Sequence, residues 1–407
     1  MVNTEISSVN VVPHHTSFMD PPINMANELQ SVLYSIDQNI IELLNQRMEC
    51  SLQVGRIKAA NEHKSKQQQS SIDSTALPNS TPAEQANALV YIPSREKQLF
   101  DKIILYNQQL NGLMSSNLLC AIWREIMSAS IALQRTTHVA IPDALGTFIH
   151  TACKQRFGAS IDVLSCQNID DVFHCVRTGK AQYGILPFQR QSVGNDPLTM
   201  SLLSQPNNKL CIYAEIYLSH QYYLMVSDQA SGSNSLHHNV HQQIKRVYGT
   251  VDSIQQCTTW LTHQLPGIQI CIEHTLSQCV AKCHANRSYA VIGSELCASV
   301  HNLSILCSVS DDTSVPAYDT VRYVVISNKI DVYTGEDKTF VLFELYERSG
   351  ALHDALNIVK QNNVNMTRLE SKANSIRPTK WDYVFAELEG YVYNHSIVYY
   401  DNGCDVT

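Results

Sequence analysis

Residues 33–58, LYSIDQNIIELLNQRMECSLQVGRIK, decide how the first third of this chain folds. From Leu29 onward, Leu33, Ile36, Ile40 and Leu43 recur in steps of four and three, the spacing of one face of a long α-helix. The same seam continues through Arg47, Cys50, Val54 and Lys58, so two cations stand where packing asks for apolar side chains. Their separation is close to three helical turns, which puts Arg47 and Lys58 on one face about 16 Å apart. A charge facing a helical bundle is costly unless a partner neutralises it, and a small dianion held between helices would do so. The alternative is that both side chains snorkel to water or pair with Glu.

Outward from this helix the pattern changes repeatedly. Residues 1–26, with Pro13, His14, His15, Pro21 and Pro22, have no periodicity and are expected to form a disordered arm. Residues 63–90, rich in Gln and Ser and punctuated by Pro78 and Pro82, read as a disordered loop. A second helix is signalled by Pro93 and Ser94 ahead of Glu96, with Leu99, Ile103, Tyr106 and Leu110 along one face and Gly112 as its stop. A third is predicted over 116–135, which completes an all-α module over 27–136. Across 137–330 short β-rich runs (HVAI, YGILP, YAVIG, RYVVIS) alternate with helical windows, the signature of an α/β domain with parallel pairing. The segment 337–407 reads strand 339–346, helix 351–362, strand 365–371 and strand 382–389, a small α+β unit.

Composition bounds the function. At 407 residues and 45.6 kDa the chain exceeds one ordinary core, and multidomain organisation follows. Although 44% of residues are hydrophobic, no apolar run approaches the ~20 residues of a membrane span. The first Lys or Arg is Arg47, unlike a secretory or transit segment, and a cytoplasmic location is expected. Thirteen Cys without a CxxC pair suit reduced thiols. Cys279, Cys283 and His284 are the best metal candidates, but they fit an ordinary amphipathic helix; no metal and no cofactor are expected. A net charge of -8 argues against nucleic acid, so anionic ligands need local cations.

The opening stretch, together with IPSREKQLFDKI (92–103) and IMSASIALQR (126–135), resembles the all-helical chorismate mutases. The resemblance implies a homodimer. It places Arg47 and Arg95 on substrate carboxylates, Glu96 on the substrate hydroxyl, Ser130 among the binding residues, and Lys58 and Gln134 as donors to the ether oxygen. Rearranging chorismate to prephenate needs no nucleophile, only a compact bound conformer and stabilised charge on the breaking bond. Gln30 stands where the family supplies a further arginine across the dimer.

VAIPDALGTFIHTACKQRFG (139–158), IDDVFHCVRTGKAQYGILPF (169–188), SIQQCTTWL (253–261), AVIGSELCA (290–298) and DTVRYVVIS (319–327) resemble prephenate dehydratases, which implies a two-lobed, periplasmic-binding-protein-like α/β domain. Thr147 and Phe148, where a loop opens a helix, would contact substrate. The family's Thr-Arg-Phe motif aligns with Val321, Arg322 and Tyr323, so Arg322 is the expected carboxylate partner. Thr320 reaches the hydroxyl's place only if a bulge shifts the strand, because one position on a strand is the opposite face. An acidic-Asn-Ser triplet is replaced by Gln189, Arg190 and Gln191.

SGALHDALNIVKQNNVNMTRLESK (349–372) and RPTKWDYVFAELEG (377–390) resemble ferredoxin-like ACT domains that bind phenylalanine, implying a site at Gly350, Ala351, Leu352, Asn365, Glu370 and Ser371. The family's last helix and strand have no counterpart, so a shortened domain with apolar surface for a partner subunit is expected. The combined expectation is a bifunctional enzyme of phenylalanine synthesis acting on chorismate and prephenate, with phenylalanine as effector. A catalytically weakened regulator or pseudoenzyme that binds prephenate or phenylalanine is the alternative, and a solute-binding module ranks last.

Overall fold

The computed structural model describes residues 23–69, 91–191, 194–205, 208–227, 244–309, 319–330, 333–346, 348–373 and 381–391. Most of the expected arm, the loop from residue 70 onward and everything after residue 391 lie outside the described residues. Helix α1 (Ile23–Gln69) starts soon after the two prolines and runs past the expected boundary at 63. The stretch HKSKQQQ is polar, yet Lys and Gln are good helix formers, and the prolines that break a helix come later. The backbone divides after Cys50 into two units. In the first, the seam Leu29, Leu33, Ile36, Ile40 and Leu43 is 48–63% exposed.

In the second unit α1 is followed by α2 (Pro93–Gln109), with Pro at its first turn, and α3 (Ser116–Gln134), capped by the Ser115 hydroxyl accepting from Leu118 N at 3.3 Å. Then come β1 (His138–Pro142), α4 (Phe148–Phe157), β2 (Asp162–Cys166), α5 (Ile169–Arg177), β3 (Tyr183–Arg190), β4 (Gly194–Asn195), α6 (Pro197–Leu203) and β5 (Cys211–Ser219). The chain crosses into a second lobe through β6 (Tyr223–Ser227), β7 (Arg246–Thr250), α7 (Val251–Gln264), β8 (Gln269–Glu273), α8 (Leu276–Ala285), β9 (Tyr289–Gly293), α9 (Glu295–His301) and β10 (Leu303–Ser308). It returns to the first lobe as β11 (Thr320–Ser327) and ends in β12 (Lys338–Tyr346), α10 (Ala351–Gln361), β13 (Met366–Ala373) and β14 (Trp381–Glu389).

The first-lobe sheet has order β2-β1-β3-β11-β5 with β4 beside β3, the second-lobe sheet β10-β6-β9-β7-β8, and the last β12-β14-β13. Strands β1, β2 and β3 are parallel, as are β8, β7 and β9, and β11 runs antiparallel between β3 and β5. This is the two-lobed α/β arrangement expected for 137–330, with the chain crossing between the lobes twice. One face of the first-lobe sheet buries Val139, Ile141, Tyr183, Ile185, Val321 and Tyr323 with Ile149 and Phe157 of α4. The other buries Leu186, Phe188, Val324 and Ile326 with α5 and α6. The C-terminal sheet packs on that second face: Phe340 meets Phe188 edge-on at 5.5 Å, and Phe385 is 2% exposed. One face of the C-terminal sheet is thus covered by the chain's own first lobe.

Parallel strands with helices on alternate faces leave a crevice beyond their carboxyl ends where the strand order reverses. In the first lobe that point lies beyond β1 and β3, in the second beyond β7 and β9. The two crevices meet: Ser294 Oγ donates to the Gly146 carbonyl at 2.6 Å, and His301 Nε2 lies 3.1 Å from the Leu145 carbonyl. Among the described residues no helix is long and apolar enough to cross a membrane.

Candidate active sites

The helical site begins with glycine. A Cβ on Gly55 would lie 3.1 Å from Gln134 Cα, so the missing side chain lets α1 and α3 come close. One turn later the half-buried Lys58 donates through Nζ to Gln134 Oε1 at 3.4 Å. That contact orients the amide, with its NH2 side as the remaining donor. Ser130, one turn before Gln134, is buried and donates to the Ile126 carbonyl at 2.7 Å. Arg47 is half-buried, and burial lowers its pKa. Arg95 is exposed.

Glu96 is placed differently from the expectation. It is 6% exposed, accepts from Tyr91 Oη at 2.8 Å, pairs with Arg156 of α4, and has Arg124 Nε at 3.9 Å. A buried carboxylate takes the nearest cation it can desolvate with, and here that cation comes from the α/β domain. Tyr91 and Ile92 complete this seam inside the first-lobe core. Tyr183 and Tyr213 donate to the Tyr91 carbonyl at 2.8 and 3.0 Å.

In the α/β domain Thr147 caps α4 and Phe148 opens it, at the end of the β1 crevice. The Phe148 ring stacks on His220 at 3.9 Å and meets Tyr222 edge-on at 4.8 Å. His220 Nε2 lies 2.8 Å from Tyr323 Oη. Beside this stack a cavity of about 480 Å³ opens between the lobes, lined by Phe148, Lys154, Ser219, Tyr223 and Glu295 among others. Arg190, ending β3, reaches Asp252 in the first turn of α7. Of these residues Phe148 is an expected substrate contact, whereas no local pattern in the sequence points to His220, Tyr222 or Asp252, whose proximity to it depends on the crossing of the chain between lobes.

Thr320 and Arg322 are not brought to that crevice. They line a separate hollow of about 240 Å³ with Gln189, Gln191 and Tyr217. Arg322 is 6% exposed, paired with Glu215 and, at 2.6 Å, with Glu387 of β14. A bulge exists, but it lies beyond Arg322, opposite Phe188 of β3, and leaves Thr320 paired with Ser219 and Val321 with Leu218. The register shift that Thr320 needs is therefore absent, and Val321 stays buried on the α4 face. Cys279 and Cys283 point into the second-lobe core, while His284 meets Ser227 at 3.1 Å. In the tail Gly350 caps α10 at φ +83°, a backbone region that favours glycine. Ala351 and Leu352 follow it in the first turn. The Asn365 carbonyl accepts from Glu389 N at 2.9 Å, Glu370 accepts from Asn195 and from Arg368, and Ser371 is exposed.

Burial lowers His150 to about 4, helped by Lys154, and His220 to about 3, helped by Arg190. His150 Nδ1 accepts from Gly146 N at 3.0 Å, as a neutral ring does. Both folded-state values lie below the unfolded one of about 6.5, so the stability they contribute is complete above that pH and is lost as pH falls toward them. The thermal midpoint should decline between about pH 6.5 and 4.5, above most carboxylate titration. In His220→Phe, which keeps the stacking but cannot titrate, the decline should flatten. An unchanged slope in melting curves would remove His220 from the account.

A helical module with a Lys–Gln pair, followed by two α/β lobes meeting at their ligand crevices, defines a two-site protein. Residues 32–135 match the chorismate mutase type II family and residues 140–331 the prephenate dehydratase family. A bifunctional chorismate mutase/prephenate dehydratase of Aquifex aeolicus is 30% identical over 370 residues, covering 89% of this chain and 90% of that protein. Two solved structures share the fold, each with TM-score 0.53. One is a prephenate dehydratase of Arthrobacter aurescens in complex with L-Phe, 21% identical over 63% of this chain and 81% of its own. The other is GqqA, described as a quorum quenching acylase, 22% identical over 62% and 88%. The chain belongs to the bifunctional chorismate mutase/prephenate dehydratase family.

Proposed function

We propose that this chain performs two consecutive steps of phenylalanine synthesis in the cytoplasm. Chorismate rearranges to prephenate at the helical site, and prephenate loses hydroxide and carbon dioxide between the two lobes to give phenylpyruvate. The observation that carries the reading is the Lys58–Gln134 contact at 3.4 Å, which sets an ammonium and an amide side by side to stabilise negative charge on a breaking ether. Incubation with chorismate tests it: chorismate should disappear, prephenate should rise and fall, and phenylpyruvate should accumulate faster than spontaneous decay allows. Val321, buried where a hydroxyl is expected, favours the second reading of a weakened regulator. Under that reading prephenate accumulates and phenylpyruvate does not.

The exposed seam of α1 supports a homodimer, since five large apolar side chains on one face are unfavourable in water. Sedimentation should give a mass near twice 45.6 kDa, and a monomer at micromolar concentration would defeat this. The C-terminal βαββ unit, with Gly350 to Leu352 opening α10 and Asn365, Glu370 and Ser371 on or beside β13, supports a shortened ACT-like sensor for phenylalanine. Millimolar phenylalanine should raise the thermal midpoint, because a ligand that binds the native state stabilises it. No shift and no heat in calorimetry would mean that the tail lacks the site.

A further inference from the structure

The cation expected to meet a prephenate carboxylate, Arg322, is held on the far face of β11 by Glu215 and Glu387. Arg190 stands at the crevice instead. It ends β3 at that strand's carboxyl edge and pairs in register with Val321, on the α4 face. Its guanidinium spans the lobes: Nη1 donates to Asp252 Oδ1 at 2.6 Å and Nη2 to Asp252 Oδ2 at 2.9 Å. Asp319, in the second crossover, lies 3.7 Å from Nε, and Tyr222, in the first, donates to Asp252 at 3.4 Å. This parallel two-pronged contact is how a guanidinium binds any carboxylate.

Asp252 sits in the first turn of α7, beyond the carboxyl end of β7, so its carboxylate occupies the place where the two ligand crevices face each other. Its side chain is 47% exposed, and a partly hydrated pair exchanges one carboxylate for another at low cost. We propose that Arg190 is a specificity-determining residue of the dehydratase crevice that binds a carboxylate of prephenate, with Asp252 as the resident carboxylate that the substrate displaces. The proposal rests on the dehydratase reading above.

Phenylpyruvate formation from prephenate by the full chain tests it, since the helical site does not make that product. Arg190→Gln should raise KM about 10- to 100-fold, the loss of a charge-assisted two-pronged bond, with a smaller change in kcat. Asp252→Asn breaks the same ion pair but leaves the guanidinium available, so its KM should stay equal or fall. If both variants raise KM alike, the pair is only a clasp between lobes and the proposal is overturned; an unchanged KM in Arg190→Gln overturns it too. A wild-type chain that forms no phenylpyruvate above spontaneous decay overturns the dehydratase reading itself, and the proposal with it.

Discussion

Lys58→Ala should lower chorismate turnover by about 10²- to 10³-fold while the far-ultraviolet circular dichroism stays that of the native chain. The rearrangement is unimolecular and uses no bond to the protein, so its acceleration rests on holding a compact conformer and meeting charge where it develops. The Lys58 ammonium is half-buried beside Gln134, in a place where water screens it less than at the surface. Removing it loses the charge and the contact that orients the Gln134 amide. A methyl group at Gly55 would act on the same pair by another route, since at 3.1 Å from Gln134 Cα it asks α3 to give by a few tenths of an ångström. Stability should change little in Lys58→Ala, because alanine is the better helix former. Turnover within a factor of a few of wild type would take Lys58 out of the reaction.

What the sequence made legible follows from the range of the forces involved. The α1 seam, the alternation of β runs with helical windows, and the order of elements in the tail are local patterns, and each appears in the structure within a few residues. Helix α1 ends beyond the point where polar composition suggests disorder, because Lys and Gln propagate a helix. Lys58 was legible because it interrupts an apolar seam, and Gln134 only through the resemblance of residues 126–135 to the mutases. Glu96 was not, since its partner Arg156 is contributed by α4 of another module. Arg190 and Asp252 lie on opposite sides of the first crossover and meet only where the two lobes face each other. Strand parity did carry over: Thr320 and Arg322 share one face and Val321 the other, as alternation requires.

Arg322→Met should cost about 3–5 kcal/mol of stability, the usual consequence of removing one partner from a buried ion pair. The guanidinium lies between Glu215 and Glu387 and over the Phe188 ring at 4.9 Å, so it joins the first lobe to β14 by charge and by stacking. Methionine restores much of the volume but none of the charge. Glu215 would keep Lys338 at 3.4 Å, whereas Glu387, 5% exposed, would have lost its cation. The added change Glu387→Gln should recover much of the deficit, because it removes the buried carboxylate left without its cation. Denaturant unfolding measures both variants, with hydrogen exchange in β14 reporting where the structure loosens. If Arg322 instead served the crevice, Arg322→Met would unfold like wild type and show its defect in KM for prephenate, which would return that arginine to the substrate.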